Sequence, residues 1–132
     1  MVIADSAIWI DYLKSRAAPA TDILNDLLEA GQAVLVGIVV AEIFRGARTA
    51  DQAIAMGELL AGVPYLETTR GTWERAGHIA QALDTVGQPI PLPDVIIGAM
   101  ALENEHHVLT RDRHFERIPG LRLYQPQDQP HA

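Results

Sequence analysis

The chain predicts an α/β fold, a three-layer sandwich in which a short, mainly parallel sheet of four to five strands is flanked by helices. Three observations carry this expectation. Short apolar runs alternate with segments whose apolar residues recur at helical spacing, the pattern of strand–helix units. The run "AVLVG" at Ala33–Gly37 is apolar throughout, as a strand buried on both faces of a parallel sheet requires. Acidic residues stand just past these runs or early in the helices near them, and right-handed crossovers leave a ligand crevice at that edge of the sheet.

The elements follow in order. "VIA" (Val2–Ala4) is a first short strand, and "DSAIWIDYLKS" after it is a helix that Asp5 or Ser6 can cap, with Ile8, Trp9, Tyr12 and Leu13 on its apolar face. Pro19 opens a second helix through Glu29, with Ile23, Leu24, Leu27 and Leu28 inward and Gly31 as its stop. After the second strand, a third helix places Val39, Val40, Ile43, Phe44 and Ala47 on one side. Glu42 falls beside that stripe, and Arg45 lies roughly opposite.

A fourth helix covers Ala50–Ala61, a short third strand Pro64–Glu67, and a long helix runs from about Thr69 to Val86, buried along Trp73, Ala76, Ala80 and Leu83. The proline-rich "GQPIPLPD" leads into a helix expected to start at Asp94; "DVIIGAMALENE" is apolar almost all round for two turns, so it should be enclosed. "HHVLT" is the fourth strand, "RDRHF" a turn and "LRLY" a final edge strand. One domain over residues 1–124 is expected, with a patternless tail, 125–132, expected to be mobile.

Composition narrows the function. At 132 residues the chain suits one domain, and with no cysteine it has neither a disulfide framework, a thiolate zinc site nor a cysteine nucleophile, which fits a reducing cytoplasm. No run approaches the ~20 apolar residues of a membrane helix, and the N-terminus lacks the basic start and cleavage site of a signal peptide. A net charge of −7 argues against a nucleic-acid binder at face value. Four of those charges, however, belong to acids that could hold divalent ions. Arginines, moreover, cluster locally: Arg45 and Arg48 after Glu42, and Arg111, Arg113 and Arg117 around Asp112.

Those four acids are Asp5, Glu42, Asp94 and Asp112. Each has a bland reading alone: a helix cap for Asp5 and Asp94, a solvated helical residue for Glu42, a turn former for Asp112. Placed together on one edge, they would repel one another unless a divalent cation held them. Such a cation lowers the pKa of bound water and draws charge from a phosphoryl transition state, the chemistry of a metal-dependent phosphodiesterase. Ser6 and Thr110 hydroxyls could orient a ligand or water around it.

The histidines read as less informative. His106 and His107 flank the start of the fourth strand, His114 is expected to be a surface residue, and no helical His-x-x-x-His pair suggests zinc. Trp9, Trp73 and Phe115 read as core. A receiver domain would need a second acid beside the first and a nearby lysine, whereas the one lysine is Lys14 in the first helix. A haloacid-dehalogenase-like phosphatase would need Asp-x-Asp, and Asp5 is followed by Ser6 and Ala7.

The pieces "VIADSAIWIDYL", "VVAEIFRGAR" and "PLPDVIIGAMALENEHHVLTRDRHFERIPGLRL" span nearly the whole chain and resemble a PIN domain, in particular the VapC-type toxins of toxin–antitoxin pairs. The resemblance implies a Mg²⁺- or Mn²⁺-dependent endoribonuclease that forms a homodimer and is neutralised by a VapB-like antitoxin. Asp5, Glu42, Asp94 and Asp112 match the family's acidic quartet, and Thr110 its hydroxyl position. Some members carry another acid shortly after the last Asp. Here Arg113 and His114 occupy that stretch, leaving open one tightly held ion or a second that arrives with RNA. Arg111 and Arg113 would meet the RNA backbone. The alternatives are a PIN nuclease outside such a pair, or a catalytically silent acidic module that binds metal or a partner.

Overall fold

The computed structural model describes residues 1–125; the tail expected to be mobile lies outside the described residues beyond Gln125. The chain forms β1 (Val2–Ala4), α1 (Ser6–Leu13), α2 (Pro19–Glu29), β2 (Leu35–Val36), α3 (Gly37–Arg45), α4 (Ala50–Leu60), β3 (Tyr65–Leu66), α5 (Arg70–Thr85), α6 (Leu92–Asn104) and β4 (His107–Leu109), followed by a 3₁₀ turn over Arg113–Arg117.

All the strand pairings are parallel. β1 pairs with β4 in the register Val2–His107, Ile3–Val108 and Ala4–Leu109, and β2 pairs with β3 through Leu35–Tyr65 and Val36–Leu66. A bridge from Val2 to Ala33 joins the two halves, with Val2 N donating to Gln32 O at 2.8 Å and Val34 N to Val2 O at 3.0 Å. The spatial order is therefore β3-β2-β1-β4. The expected final strand "LRLY" is reduced to one bridge, Leu123 to Val108. The chain leaves β1 toward β2 on one side and returns to its other side in β4, so the carboxyl end of β1 is a switch point where a crevice opens.

The fold class is as expected, although the strands are short. Val2, Ile3, Ala4, Val34, Leu35 and Val36 are all buried, in keeping with a sheet covered on both faces. Val95–Ala101 of α6 are likewise buried without exception, which explains a helix with almost no polar face. A Cβ at Gly98 would sit 2.5 Å from Ile118 Cδ1, so the Ile118 side chain packs directly on the α6 backbone and would have to shift to admit a larger residue there. α5 is tied to α6 by Thr72, whose buried hydroxyl donates to Glu103 at 2.7 Å while Thr69 caps the helix start.

Three expectations about burial and boundaries are corrected. α6 begins at Leu92 rather than Asp94, because Pro91 and Pro93 tolerate the first turn, whose N–H groups need no intrahelical partner; Asp94 lies inside that turn and does not cap it. Phe44 is 38% exposed, since Val39 and Ile43 alone fill the inner face of the short α3. Trp73, expected in the core, is 50% exposed, because α5 meets α6 through the smaller Thr72, Ala76 and Leu83. Trp9 and Phe115 are buried as expected.

The two tryptophans should therefore behave differently. Trp73→Ala is expected to change the unfolding free energy by less than about 1 kcal/mol, as for other surface positions. Acrylamide should quench Trp73 in a Trp9→Phe variant and leave Trp9 largely protected in Trp73→Ala. Equal quenching of both would contradict the burial described above.

Candidate metal centre

Asp5 directly follows β1, and its backbone N–H donates to Leu109 O at 3.0 Å, locking it to the end of β4. Its side chain is 7% exposed. One carboxylate oxygen accepts from Ile8 N at 3.2 Å, so Asp5 does cap α1; the other accepts a short hydrogen bond from the Thr110 hydroxyl. One carboxylate thus caps the helix and also accepts from Thr110, since it has two oxygens. Thr110 Oγ1 also accepts from Asp112 N at 3.0 Å, so one hydroxyl holds Asp5 and the start of the Asp112 turn together.

The other acids arrive from separate segments. Glu42 projects from α3, and its Oε1 is buried without a hydrogen-bond partner. Asp94 comes from the first turn of α6, and Asp112 opens the 3₁₀ turn, accepting from His114 N at 3.4 Å. His114, expected at the surface, instead lies between two acids: Nε2 is 2.6 Å from Asp94 Oδ2 and Nδ1 is 3.0 Å from Asp112 Oδ1, with 18% of its side chain exposed. The 3₁₀ winding, anchored by the buried Phe115, turns the ring inward.

The electrostatics show the four acids sharing one neighbourhood. Burial raises the pKa of Asp5 above the ordinary aspartate value, the Thr110 and Ile8 hydrogen bonds oppose the rise, and Asp94 adds to it. Glu42 is raised mainly by burial, with the Ser6 hydroxyl acting in the opposite direction and Asp94 and Asp5 reinforcing the rise. Asp94 is raised mainly by burial, with His114 lowering and Asp112 raising it. Donor atoms of Asp94, Asp112 and His114 all lie within 4.8 Å of one another, close enough to serve a single ion. Asp5 and Glu42 stand outside that tightest group, yet the Asp94 charge raises the pKa of both.

This donor set fits a divalent cation. Oxygen donors dominate, three of the acids resist ionisation where they stand, and a buried carboxylate oxygen of Glu42 has no protein donor. Mg²⁺ or Mn²⁺ would supply positive charge and a water of lowered pKa there.

The arginines divide. Arg113 is mostly in solvent and pairs loosely with Glu116 at 3.8 Å. Arg111 is not free: its Nη2 lies 2.6 Å from Asp11 Oδ2, and Arg16 completes the pair at 3.0 Å, so Asp11 is held below the usual carboxylate range chiefly by Arg111. Arg111 nevertheless stays close enough to lower the pKa of Asp5, at the rim of the crevice. Sequence reasoning missed His114 and Asp11. Neither carries a distinctive spacing, because their roles depend on which way the 3₁₀ turn and α1 present them.

A model of the PIN domain family matches residues 2–121. The chain belongs to the PIN-domain family. It is 33% identical over 104 residues to Ribonuclease VapC21 of Mycobacterium tuberculosis, an alignment covering 74% of this chain and 73% of that protein. The VapBC-1 structure from nontypeable Haemophilus influenzae superposes with a TM-score of 0.75 at 26% identity, covering 95% of this chain and 98% of that one. VapBC2 from Rickettsia felis, bound to promoter DNA, superposes at 0.79 with 19% identity, covering 94% and 98%, which speaks to the fold. This PIN domain thus has a VapC ribonuclease among its homologues, and the fold expected from its motifs is the one observed.

Proposed function

We propose that this PIN domain is a Mg²⁺- or Mn²⁺-dependent endoribonuclease and the toxin of a type II toxin–antitoxin pair. The observation that carries the reading is the meeting, at the switch point of the sheet, of acids whose pKa values are raised by burial and by one another, with Glu42 Oε1 left unpaired. The homology to a VapC ribonuclease supports RNA as substrate.

In this reading Asp5, Glu42, Asp94 and Asp112 hold the cation, which supplies charge neutralisation and an acidified water. Asp94, on the rigid first turn of α6, orients the attacking water. Thr110 keeps Asp5 and the Asp112 turn in register, and the Ser6 hydroxyl steadies Glu42. Arg113, and Arg111 once released from or shared with Asp11, meet the phosphates of the RNA.

The partners follow from the same reading: a VapB-like antitoxin, a second copy of this chain in a homodimer, and a cytoplasmic setting. The similarity to VapBC complexes supports the antitoxin. Exposed Phe44, Ile54 and Leu59 on α3 and α4 give apolar surface of the kind that protein partners cover. Among the described residues, no helix is long and apolar enough to cross a membrane.

The direct test is cleavage of RNA by the purified protein on addition of Mg²⁺ or Mn²⁺, abolished by a chelator. Metal-independent cleavage, or none at all, would reject the assignment.

A second test reads the fold itself. Asp5, Glu42 and Asp94 have folded-state pKa values above their unfolded ones, so the native chain binds more protons between the ordinary carboxylate range and the raised values. Metal-free stability should therefore fall as pH rises through that window. Added Mn²⁺ should raise the Tm, by more at neutral pH than at acid pH where the carboxyls are protonated. At a hundred times its Kd, the ion contributes about 2.7 kcal/mol by mass action. A Tm indifferent to Mn²⁺ at neutral pH would count against the site.

A further inference from the structure

His114 has no part in the quartet, yet its ring lies between two of the four acids, Asp94 and Asp112. The ring is held on three sides: Asp94 Oδ2 at 2.6 Å from Nε2, Asp112 Oδ1 at 3.0 Å from Nδ1, and the fully buried Phe115 ring 5.1 Å away at a 32° tilt. A histidine at the surface would send its ring into water, but here both nitrogens are aimed at carboxylates assigned to the cation. The donor atoms of His114, Asp94 and Asp112 approach one another within 4.8 Å, so an ion reached by the two acids is also within reach of the imidazole.

We propose that His114 is a nitrogen ligand of the cation held by Asp94 and Asp112, and that this donor biases the site toward Mn²⁺ over Mg²⁺. The inference rests on the metal-dependent reading above. Mg²⁺ favours an all-oxygen shell and keeps several waters, whereas imidazole suits first-row transition ions. A quartet of carboxylates alone gives little reason to separate the two ions; adding one imidazole does. The short 3₁₀ turn sets the selectivity, because it carries His114 and is capped by Asp112, and presents both to Asp94 of α6.

The other described histidines do not compete for this place. His106 and His107 lie at the opposite end of β4, and His78 is exposed on α5.

The test compares the full-length wild type with His114→Gln, each checked for unchanged metal-free secondary structure and Tm. Mn²⁺-loaded protein is examined by pulsed EPR for ¹⁴N coupling, and Mn²⁺ and Mg²⁺ affinities are measured by calorimetry. Imidazole coupling should be present in the wild type and absent in His114→Gln. The variant should bind Mn²⁺ about tenfold or more weakly, with Mg²⁺ affinity changed much less. Absence of coupling in Mn²⁺-loaded wild type overturns the ligand assignment. Equal losses for the two ions overturn the selectivity, and point to a residue that only steadies Asp94. Wild type that takes up no Mn²⁺ at all fails the metal-dependent reading itself, a separate outcome.

Discussion

Asp94→Asn is expected to lower Mn²⁺-dependent RNA cleavage by about a thousandfold, the rate equivalent of roughly 4 kcal/mol of lost stabilisation at the reacting phosphate. Asparagine keeps the size of the side chain and one carbonyl oxygen, so the loss isolates charge. Asp94 interacts with each of the other three acids: its charge raises Asp5 and Glu42, and it is itself raised by Asp112. Neutralising it should weaken cation uptake and also let the Asp5 and Glu42 carboxyls ionise more readily. Because burial outweighs the His114 contact in setting its pKa, the charge at Asp94 is a net burden on the metal-free fold. The variant should therefore unfold at a metal-free Tm no lower than wild type at neutral pH. Lost cleavage with an intact Tm supports a functional acid, whereas undiminished turnover would remove Asp94 from the site. Asp5→Asn should lose activity similarly, but with a stability cost, since Asp5 also caps α1 and accepts from Thr110.

Phe115→Ala carries the largest expected effect on stability, about 3–5 kcal/mol. The side chain is fully buried and belongs to the 3₁₀ turn that presents Asp112 and His114. Against the roughly 5–15 kcal/mol that holds a typical domain folded, such a loss approaches unfolding. The urea midpoint should drop with the slope unchanged, the signature of altered stability rather than altered compactness. Phe115→Leu, closer in volume, should cost less than about 1.5 kcal/mol. Because the ring also backs His114, cleavage should fall in Phe115→Leu by more than its stability loss predicts. A wild-type midpoint in Phe115→Ala would show that the turn is not anchored as described.

Much of the molecule was legible because its signals are local. The unbroken apolar character of Val34–Val36 and of Val95–Ala101 announced burial on all sides, and both segments are buried. The helix starts at Pro19 and Thr69 follow from proline geometry and from capping hydroxyls, which act within a few residues. The boundary at Asp94 was misplaced because the two prolines that looked like a loop are also tolerated in a first helical turn. Trp73 was misjudged for a different reason. Helical periodicity drawn through Trp73 sets the face one residue off, since the buried line of α5 runs through Thr72, Ala76 and Leu83 and leaves Trp73 beside it.

What the sequence determined by itself was the alternation of apolar runs and amphipathic helices, and with it a parallel sheet whose crossovers send Asp5, Glu42, Asp94 and the Asp112 turn to one edge. That follows from side-chain periodicity and chain handedness, both readable one segment at a time. Only the tertiary structure decided that Thr110 bonds Asp5 while accepting from Asp112 N, that Asp11 captures Arg111, and that His114 turns inward between Asp94 and Asp112. Those contacts join residues as many as 105 positions apart, and their directions depend on rotamers chosen by packing.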